Sequence, residues 1–147
     1  MPAWLAPAVL LSALVAASIS DLRTFRVPAW LSLATLLAGL AVSGVRGIAG
    51  IEAGFLGAVV GGLVLLPFVI KAGMGPADSL LLAGVGAWEG WRFALVAAFC
   101  ASLAGAALAL VAIALRRRAL PYVPAITIGT LVAFVLLPFA LSGQATA

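Results

Sequence analysis

Long stretches without a charged residue are the feature that most limits how this chain can fold. They are residues 1–20, 27–45, 53–70, 79–88, 93–115 and 119–147. A helix needs about 20 apolar residues to cross the hydrocarbon core of a bilayer, and only the stretch 79–88 is clearly shorter. Since 66% of the 147 residues are hydrophobic and 8% are charged, a water-soluble domain could not bury so much apolar surface. The sequence therefore predicts an all-α integral membrane protein with a single domain, residues 1–147.

The basic residues decide whether the short stretch 79–88 crosses the membrane. If it crosses, six basic residues lie on one side of the bilayer and two, Arg46 and Arg92, lie on the other. The six are Arg23, Arg26, Lys71, Arg116, Arg117 and Arg118. If it does not cross, the split becomes four to four. The positive-inside rule favours the first arrangement, which predicts a compact bundle of six transmembrane helices. In that bundle helix 4 is short and shielded by its neighbours, and the N-terminus is outside. Residues 1–20 lack a basic N-terminal region, so they are interpreted as the first helix rather than a signal peptide.

Small and aromatic residues add predictions about packing. Glycines are spaced by four at Gly57 and Gly61 and at Gly86 and Gly90, a spacing that allows helix backbones to approach closely in lipid. This predicts ordinary packing within a compact bundle rather than a specific dimer face. All tryptophans fall near predicted span ends, which is typical of anchors at the membrane interface. They are Trp4, Trp30, Trp88 and Trp91.

Two of the four acidic residues fall on the same predicted side of the membrane. Asp21 ends helix 1 and Asp78 opens helix 4 on the inner side, whereas Glu52 and Glu89 lie on the outer side. Ionisable groups near membrane depth are costly and are candidates for function. For each aspartate alone a structural role stays open, because Asp21 could pair with a nearby arginine and Asp78 could complement the dipole of helix 4. As a pair, the two aspartates favour a functional role.

The chemistry open to this chain is narrow. It has no histidine and one cysteine, Cys100, which excludes HExxH zinc sites, Ser-His and Cys-His dyads, and an internal disulfide. A Ser-Lys dyad would need Lys71 with a serine such as Ser79, but Lys71 also fits as a loop charge. Two aspartates suffice for peptide hydrolysis by an activated water, because a close pair holds one proton between its members. This chemistry requires no metal and no organic cofactor, and basic residues in short loops predict orientation rather than nucleic-acid binding.

Three segments of the sequence resemble a known family. They are "SDLRTFRVPAWLS" from Ser20 to Ser32, "GMGPADSLLLAGVGAWEG" from Gly73 to Gly90, and "PYVPAITIGTL" from Pro121 to Leu131. The first is similar to a pattern of an aspartate, a basic residue and a proline that opens the second helix. The second is similar to a glycine-rich stretch that ends in a second aspartate. The chain thus resembles the type IV prepilin peptidases, which are intramembrane aspartyl proteases of the GxGD type, and in particular their short forms.

The resemblance implies a function and a site. Asp21 and Asp78 would be the catalytic aspartates, and Gly73 and Gly75 would supply a bendable approach to Asp78. The enzyme would lie in the inner membrane and contact membrane lipid. It would cleave the leaders of type IV prepilin-like precursors on the cytoplasmic side. Long family members also methylate the new N-terminus through an extra segment with cysteines. The sequence lacks that segment, so we expect peptidase activity without methylation.

The sequence departs from the family pattern at three positions. Ala77 stands where a glycine usually precedes the aspartate, Leu80 where a lysine is common, and Ala29 where an asparagine is common. Ala77 would be strained at positive φ, at a cost of about 1 kcal/mol, but it is harmless in the first turn of a helix, and Pro76 favours that case. The departures keep an alternative open, a catalytically impaired member that binds precursor helices as a membrane subunit. A small transporter with a proton relay would instead need carboxylates near the midplane.

Overall fold

Six α-helices account for most of the chain in a computed structural model that describes residues 5–117 and 120–142. They are α1 (Leu5–Thr24), α2 (Ala29–Val45), α3 (Ile48–Ala72), α4 (Pro76–Glu89), α5 (Trp91–Ala114) and α6 (Val123–Ser142). Within those two ranges there is no strand. The predicted all-α class and the count of six helices are therefore confirmed, and so is the short fourth helix, which has 14 residues.

Three of the helices are long and apolar enough to cross a membrane: α1 with 20 residues, α3 with 25 and α5 with 24. Helix α2 and the Val123–Leu137 part of α6 are apolar but shorter. At about 1.5 Å per residue, α4 extends roughly 21 Å, which is less than the roughly 30 Å of a typical hydrocarbon core. Length and composition thus identify three candidate spans, and the crossing of the membrane by all six helices stays a prediction.

Helix α4 is the centre of the bundle. It contacts all five other helices, most extensively α3 and α2, and its residues from Leu81 to Trp88 are all buried. Glycines make this packing possible, because a Cβ on Gly57 of α3 would collide with the carbonyl of Gly86, and a Cβ on Gly61 would lie 2.5 Å from the carbonyl oxygen of Leu82. The prediction that the spaced glycines serve packing within the bundle is confirmed for Gly57, Gly61 and Gly86, and the short helix is shielded by its neighbours as expected. It is wrong for Gly90, which forms the α4–α5 connection with φ of 90°.

The C-terminal end of α4 is fixed by side-chain hydrogen bonds to α2. Ser43 Oγ donates to the carbonyl of Ala87 at 2.6 Å, and Arg46 donates to the carbonyl of Trp88 at 2.8 Å. The indole of Trp88 donates to the carbonyl of Thr35 at 2.9 Å. We call this part of the bundle, with the α2–α3 and α4–α5 connections, the far end.

One prediction about the tryptophans is wrong. Trp88 is only 4% exposed, so it is a core residue and not an interfacial anchor. Its ring fits because Gly39 leaves space on α2, where a Cβ would lie 2.6 Å from the indole. Trp30 and Trp91 are exposed, which agrees with an interfacial position, and Trp4 lies outside the described residues.

The chain reverses direction at each connection. Residues from the connections after α1, α3 and α5 line one cavity, whereas the connections after α2 and α4 meet at the far end through the bond from Arg46 to Trp88. We call the first of these the cavity end. Asp21 and Asp78 both lie at the cavity end, because one is in the last turn of α1 and the other in the first turn of α4.

Candidate active site

A cavity of about 700 Å³ opens at the cavity end of the bundle. Its walls come from the C-terminus of α1, the start of α2, the turn before α4, the first turns of α4, and the segment that precedes α6. Asp21 and Asp78 both line it. The rest of the lining is mainly apolar, so the two carboxyl groups are acidic groups in a largely hydrophobic cavity.

Asp21 is held between two helices. It lies in the last turn of α1 with 6% of its surface exposed. One of its carboxylate oxygens, Oδ2, accepts a hydrogen bond of 3.0 Å from the backbone N–H of Val123, the first residue of α6. Backbone donors at a helix N-terminus are unpaired within the helix and attract anions. The polar partner of Asp21 is therefore the start of α6 rather than the arginines that follow it in sequence.

Asp78 lies at the start of its helix, whereas Asp21 lies near the end of its own. It is the third residue of α4, it is partly buried, and its backbone N–H bonds to the carbonyl of Gly75 at 3.1 Å. No described residue donates a hydrogen bond to its carboxyl group. The side chain of Asp78 lines the same cavity as Asp21. The structure thus brings together the two residues predicted to be catalytic, although their roles stay a prediction.

The two glycines before Asp78 differ in what their positions require. Gly73 ends α3 with φ of 69°, a left-handed conformation that glycine adopts without strain. Gly75 has φ of −63°, which any residue can adopt. A Cβ at Gly75 would lie 3.6 Å from Oδ2 of Asp78. Gly73 therefore forms the turn, whereas Gly75 keeps space open beside the carboxyl group.

The three departures from the family pattern have visible consequences. Ala77 is in the first turn of α4 behind Pro76 at its start, and it is not among the residues with positive φ. The unstrained of the two cases considered above is therefore correct. Ala29 and Leu80 both line the cavity, so the positions where an asparagine and a lysine are common present apolar surface to the site.

Sequence reasoning missed an aromatic residue of the site, Tyr122. It lines the cavity just before α6, and its ring lies against Gly105 of α5, where a Cβ would be 2.6 Å from Cε2. Burial raises the pKa of its hydroxyl, the nearby Ser102 hydroxyl opposes this, and the charge of Asp78 adds to the rise. Tyr122 therefore stays a neutral hydrogen-bond donor. It lies in the segment "PYVP", whose two prolines around an aromatic residue were the available signal.

Other chemistries find no support among the described residues. The Ser79 hydroxyl donates to the carbonyl of Gly62 at 2.8 Å, so it joins α4 to α3, and Lys71 is exposed. Within residues 5–117 and 120–142, no group of three or more histidine, cysteine, aspartate or glutamate residues could hold a metal ion. The ionisable side chains among the residues that line the cavity are those of Asp21, Asp78, Arg26 and Tyr122.

Comparison with known proteins adds one finding. The model of the type IV leader peptidase family matches residues 8–110, a range that contains both aspartates and the glycines before Asp78. Neither the curated proteins nor the solved structures give a match to the chain. Tyr122, which lines the cavity, and Val123, whose backbone N–H donates to Asp21, lie beyond the matched range.

Proposed function

Because the chain belongs to the type IV leader peptidase family, we propose that it is an intramembrane aspartic endopeptidase that removes the leaders of type IV prepilin-like precursors. One observation carries the aspartic mechanism. Asp21 and Asp78, which are distant in sequence and lie on different helices, line the same cavity. Ionising both carboxyl groups at short range costs free energy, so the pair keeps one proton.

The surroundings of the two carboxyl groups support different roles for them. The backbone amide of Val123 donates to Asp21, and such a bond is stronger to an ionised carboxylate than to a neutral acid. The carboxyl group of Asp78 has no donor among the described residues. We therefore assign the ionised form and the role of general base to Asp21. Asp78 carries the shared proton and acts as general acid.

The reaction follows from these roles. A water between the two aspartates loses a proton to Asp21 while its oxygen attacks the scissile carbonyl carbon, and Asp78 gives its proton to the carbonyl oxygen. The intermediate is a gem-diol, and it collapses as its C–N bond breaks. The proton on Asp21 passes to the departing amine, and one hydroxyl of the gem-diol returns a proton to Asp78 as the new carboxyl group forms. Every proton is accounted for by the two carboxyl groups and the water, as in other aspartic dyads.

The distribution of charge supports an orientation. Among the described residues, Arg23, Arg26 and Lys71 lie at the cavity end together with Arg116 and Arg117, whereas Arg46 and Arg92 lie at the far end. Under the positive-inside rule, the cavity end faces the cytoplasm of a cell whose inner membrane the six helices cross. Helix α4 is too short to cross alone, and burial among its neighbours allows it to do so within the bundle.

The mainly apolar cavity fits the proposed substrate. A prepilin-like precursor carries a short basic leader followed by an apolar helix, and cleavage between them exposes the scissile bond near the membrane surface. Ala29 and Leu80 contribute apolar side chains to the cavity wall. This apolar surface suits the helical part of the precursor. We propose proteolysis without methylation of the new N-terminus.

The decisive experiment replaces each aspartate with its amide. Asp21→Asn and Asp78→Asn in the purified membrane protein should each reduce cleavage of a prepilin precursor by at least about 10²-fold, since each removes a proton-transfer group. Asparagine keeps the size of the side chain, and its amide oxygen can still accept the bond from Val123. The matched control is Glu52→Gln, the same chemical change on an exposed residue of α3 away from the cavity. It should cleave like the wild-type protein.

Two other results would change the assignment. If either amide variant cleaves at the wild-type rate, that aspartate has no part in the mechanism. If the wild-type protein binds precursors but does not cleave them, the chain is a non-catalytic membrane subunit. Size-exclusion profiles in detergent should be the same for all variants, which separates loss of activity from loss of fold.

A further inference from the structure

Phe25 has a backbone conformation that its side chain disfavours. It follows α1 directly with φ of 53°, in the left-handed region where a Cβ crowds the following carbonyl group. Its backbone N–H closes the last turn of the helix by bonding to the carbonyl of Asp21 at 2.8 Å. Helices commonly end with glycine at such a position, so a phenylalanine here lacks a local explanation.

Neighbouring side chains hold this turn in place. The carbonyl of Arg26 accepts hydrogen bonds from two hydroxyl groups of α1, Ser20 at 3.2 Å and Thr24 at 3.0 Å. The Thr24 hydroxyl also bonds to the carbonyl of Ser20 at 2.8 Å. The turn is therefore over-determined by its surroundings, which is how unfavourable backbone conformations persist at functional sites.

Core packing does not compensate for this conformation. The side chain of Phe25 is 50% exposed and does not belong to the hydrophobic core, although Val27 and Leu31 pack against that core. Phe25 instead lines the cavity, four residues after Asp21. Arg116 has a similar φ of 54° after α5, but it is not part of the cavity wall. Among the described residues, Phe25 and Arg116 are the two non-glycine residues with positive φ, and of these two Phe25 lines the cavity.

We propose that Phe25 is a substrate-contacting residue whose ring packs against an apolar side chain of the precursor next to the scissile bond. Leu80 and Leu120 line the same cavity and extend the apolar wall. This inference rests on the proposed function and adds a residue that determines which precursors are cleaved efficiently. A half-exposed aromatic ring of this size gains contact area when an apolar partner covers it.

The test uses a substitution that separates function from folding. Phe25→Gly removes the ring and relieves the backbone, so the melting temperature in detergent should be unchanged or higher. The value of kcat/KM for a precursor with a large apolar residue after the scissile bond should fall by about tenfold or more, chiefly through KM. Arg116→Gly is the matched control, because it relieves the same backbone conformation outside the cavity. Its melting temperature should change in the same direction, and its cleavage should equal that of the wild type.

A substrate series identifies the contact. Wild-type protein should prefer a precursor with phenylalanine after the scissile bond over one with alanine, and Phe25→Gly should lose most of this preference. Phe25→Leu, which keeps an apolar side chain, should retain part of it. A ring that served only as a lipid anchor would leave the preference unchanged.

The possible results separate failure of this inference from failure of the proposed function. If Phe25→Gly cleaves both precursors with wild-type kcat/KM, or keeps the wild-type preference between them, the inference is wrong. A melting temperature well below that of Arg116→Gly would show that the ring stabilises the fold and would also overturn it. Both results leave the proposed function intact, because wild-type protein still cleaves and Asp78→Asn does not. If the wild-type protein cleaves no precursor, the proposed function fails and the inference fails with it.

Discussion

The two ends of α4 are built in opposite ways. At its C-terminal end, Ala87 and Trp88 receive hydrogen bonds from α2, and the backbone of Gly86 lies directly against that of Gly57. At its N-terminal end, Pro76 is exposed and Asp78 faces an open cavity. One short helix thus joins a tightly packed anchor to a site with room for substrate, and the anchor fixes the position of the carboxyl group at the other end.

This difference separates stability from activity along one helix. Substitutions at the packed end should lower the free energy of unfolding and reduce activity only through the loss of folded protein. Substitutions at the cavity end should change the rate and leave stability almost unaffected. Functional sites are commonly drawn from the less tightly packed parts of a fold, and the predictions that follow test whether α4 is divided in this way.

Gly86→Ala should have the largest effect on stability. Its new Cβ would collide with the backbone of Gly57, which cannot move without separating α3 from α4. Overpacking of this kind typically costs about 1–3 kcal/mol, and occasionally more. Denaturation in detergent should show the loss, and cleavage should fall in proportion to the folded fraction.

The control for Gly86→Ala is Gly44→Ala in α2, where a new Cβ would meet nothing within 4 Å. Alanine favours a helix by about 1 kcal/mol over glycine, so this variant should be as stable as the wild type or more so. If Gly86→Ala is no less stable than Gly44→Ala, the close contact between α3 and α4 does not exist.

Ser43→Ala should have a smaller effect at the same packed end. It removes the donor to the carbonyl of Ala87, at a cost of about 1 kcal/mol for the lost hydrogen bond, and up to about 3 kcal/mol if the buried acceptor stays unpaired. Ser12→Ala is the comparison, because the exposed Ser12 hydroxyl bonds only within its own helix, to the carbonyl of Val9. Thermal unfolding should separate the two variants, and equal melting temperatures would mean that the bond to Ala87 contributes nothing.

Much of this contrast could be predicted from the sequence. The charge-free stretches indicated six helices, the arginine distribution supported a short fourth one, and the glycine spacing indicated where backbones meet. The same topology put Asp21 and Asp78 at one end of the bundle. Pro76 also indicated correctly that Ala77 lies in the first turn of α4.

The remaining details depend on contacts between distant parts of the chain. The bond from Val123 to Asp21 joins residues 102 positions apart, and nothing in either segment alone indicates it. Trp88 was misassigned because a tryptophan near a span end is the same in sequence whether it faces lipid or a glycine-lined core. The left-handed conformation of Phe25 was also hidden, since glycine, which usually marks such a position, is absent there.

Gly75→Ala should have the smallest effect and should act at the cavity end alone. Its new methyl group would lie 3.6 Å from Oδ2 of Asp78, an ordinary van der Waals distance, and the φ of −63° suits alanine. We therefore expect no loss of stability. Under the proposed mechanism the methyl group takes space beside a carboxyl group that binds the water. We therefore expect kcat to fall between about two- and tenfold, which corresponds to at most roughly 1.4 kcal/mol of barrier.

The control for Gly75→Ala is Gly62→Ala in α3, whose new Cβ would lie at the same distance, 3.6 Å, from the side chain of Ala83. The steric change is equal, but the neighbour of the new methyl group is the packed methyl group of Ala83 instead of the carboxyl group of Asp78. Single-turnover cleavage should therefore distinguish the two variants. Thermal unfolding should show no loss of stability in either, and Gly62→Ala should gain up to about 1 kcal/mol because it lies inside a helix. If both variants cleave at the wild-type rate, the space beside Asp78 is not used by the reaction. If both variants lose stability, the cavity end has no more room for a methyl group than the interface between α3 and α4. The two ends of α4 would then differ less than their packing indicates.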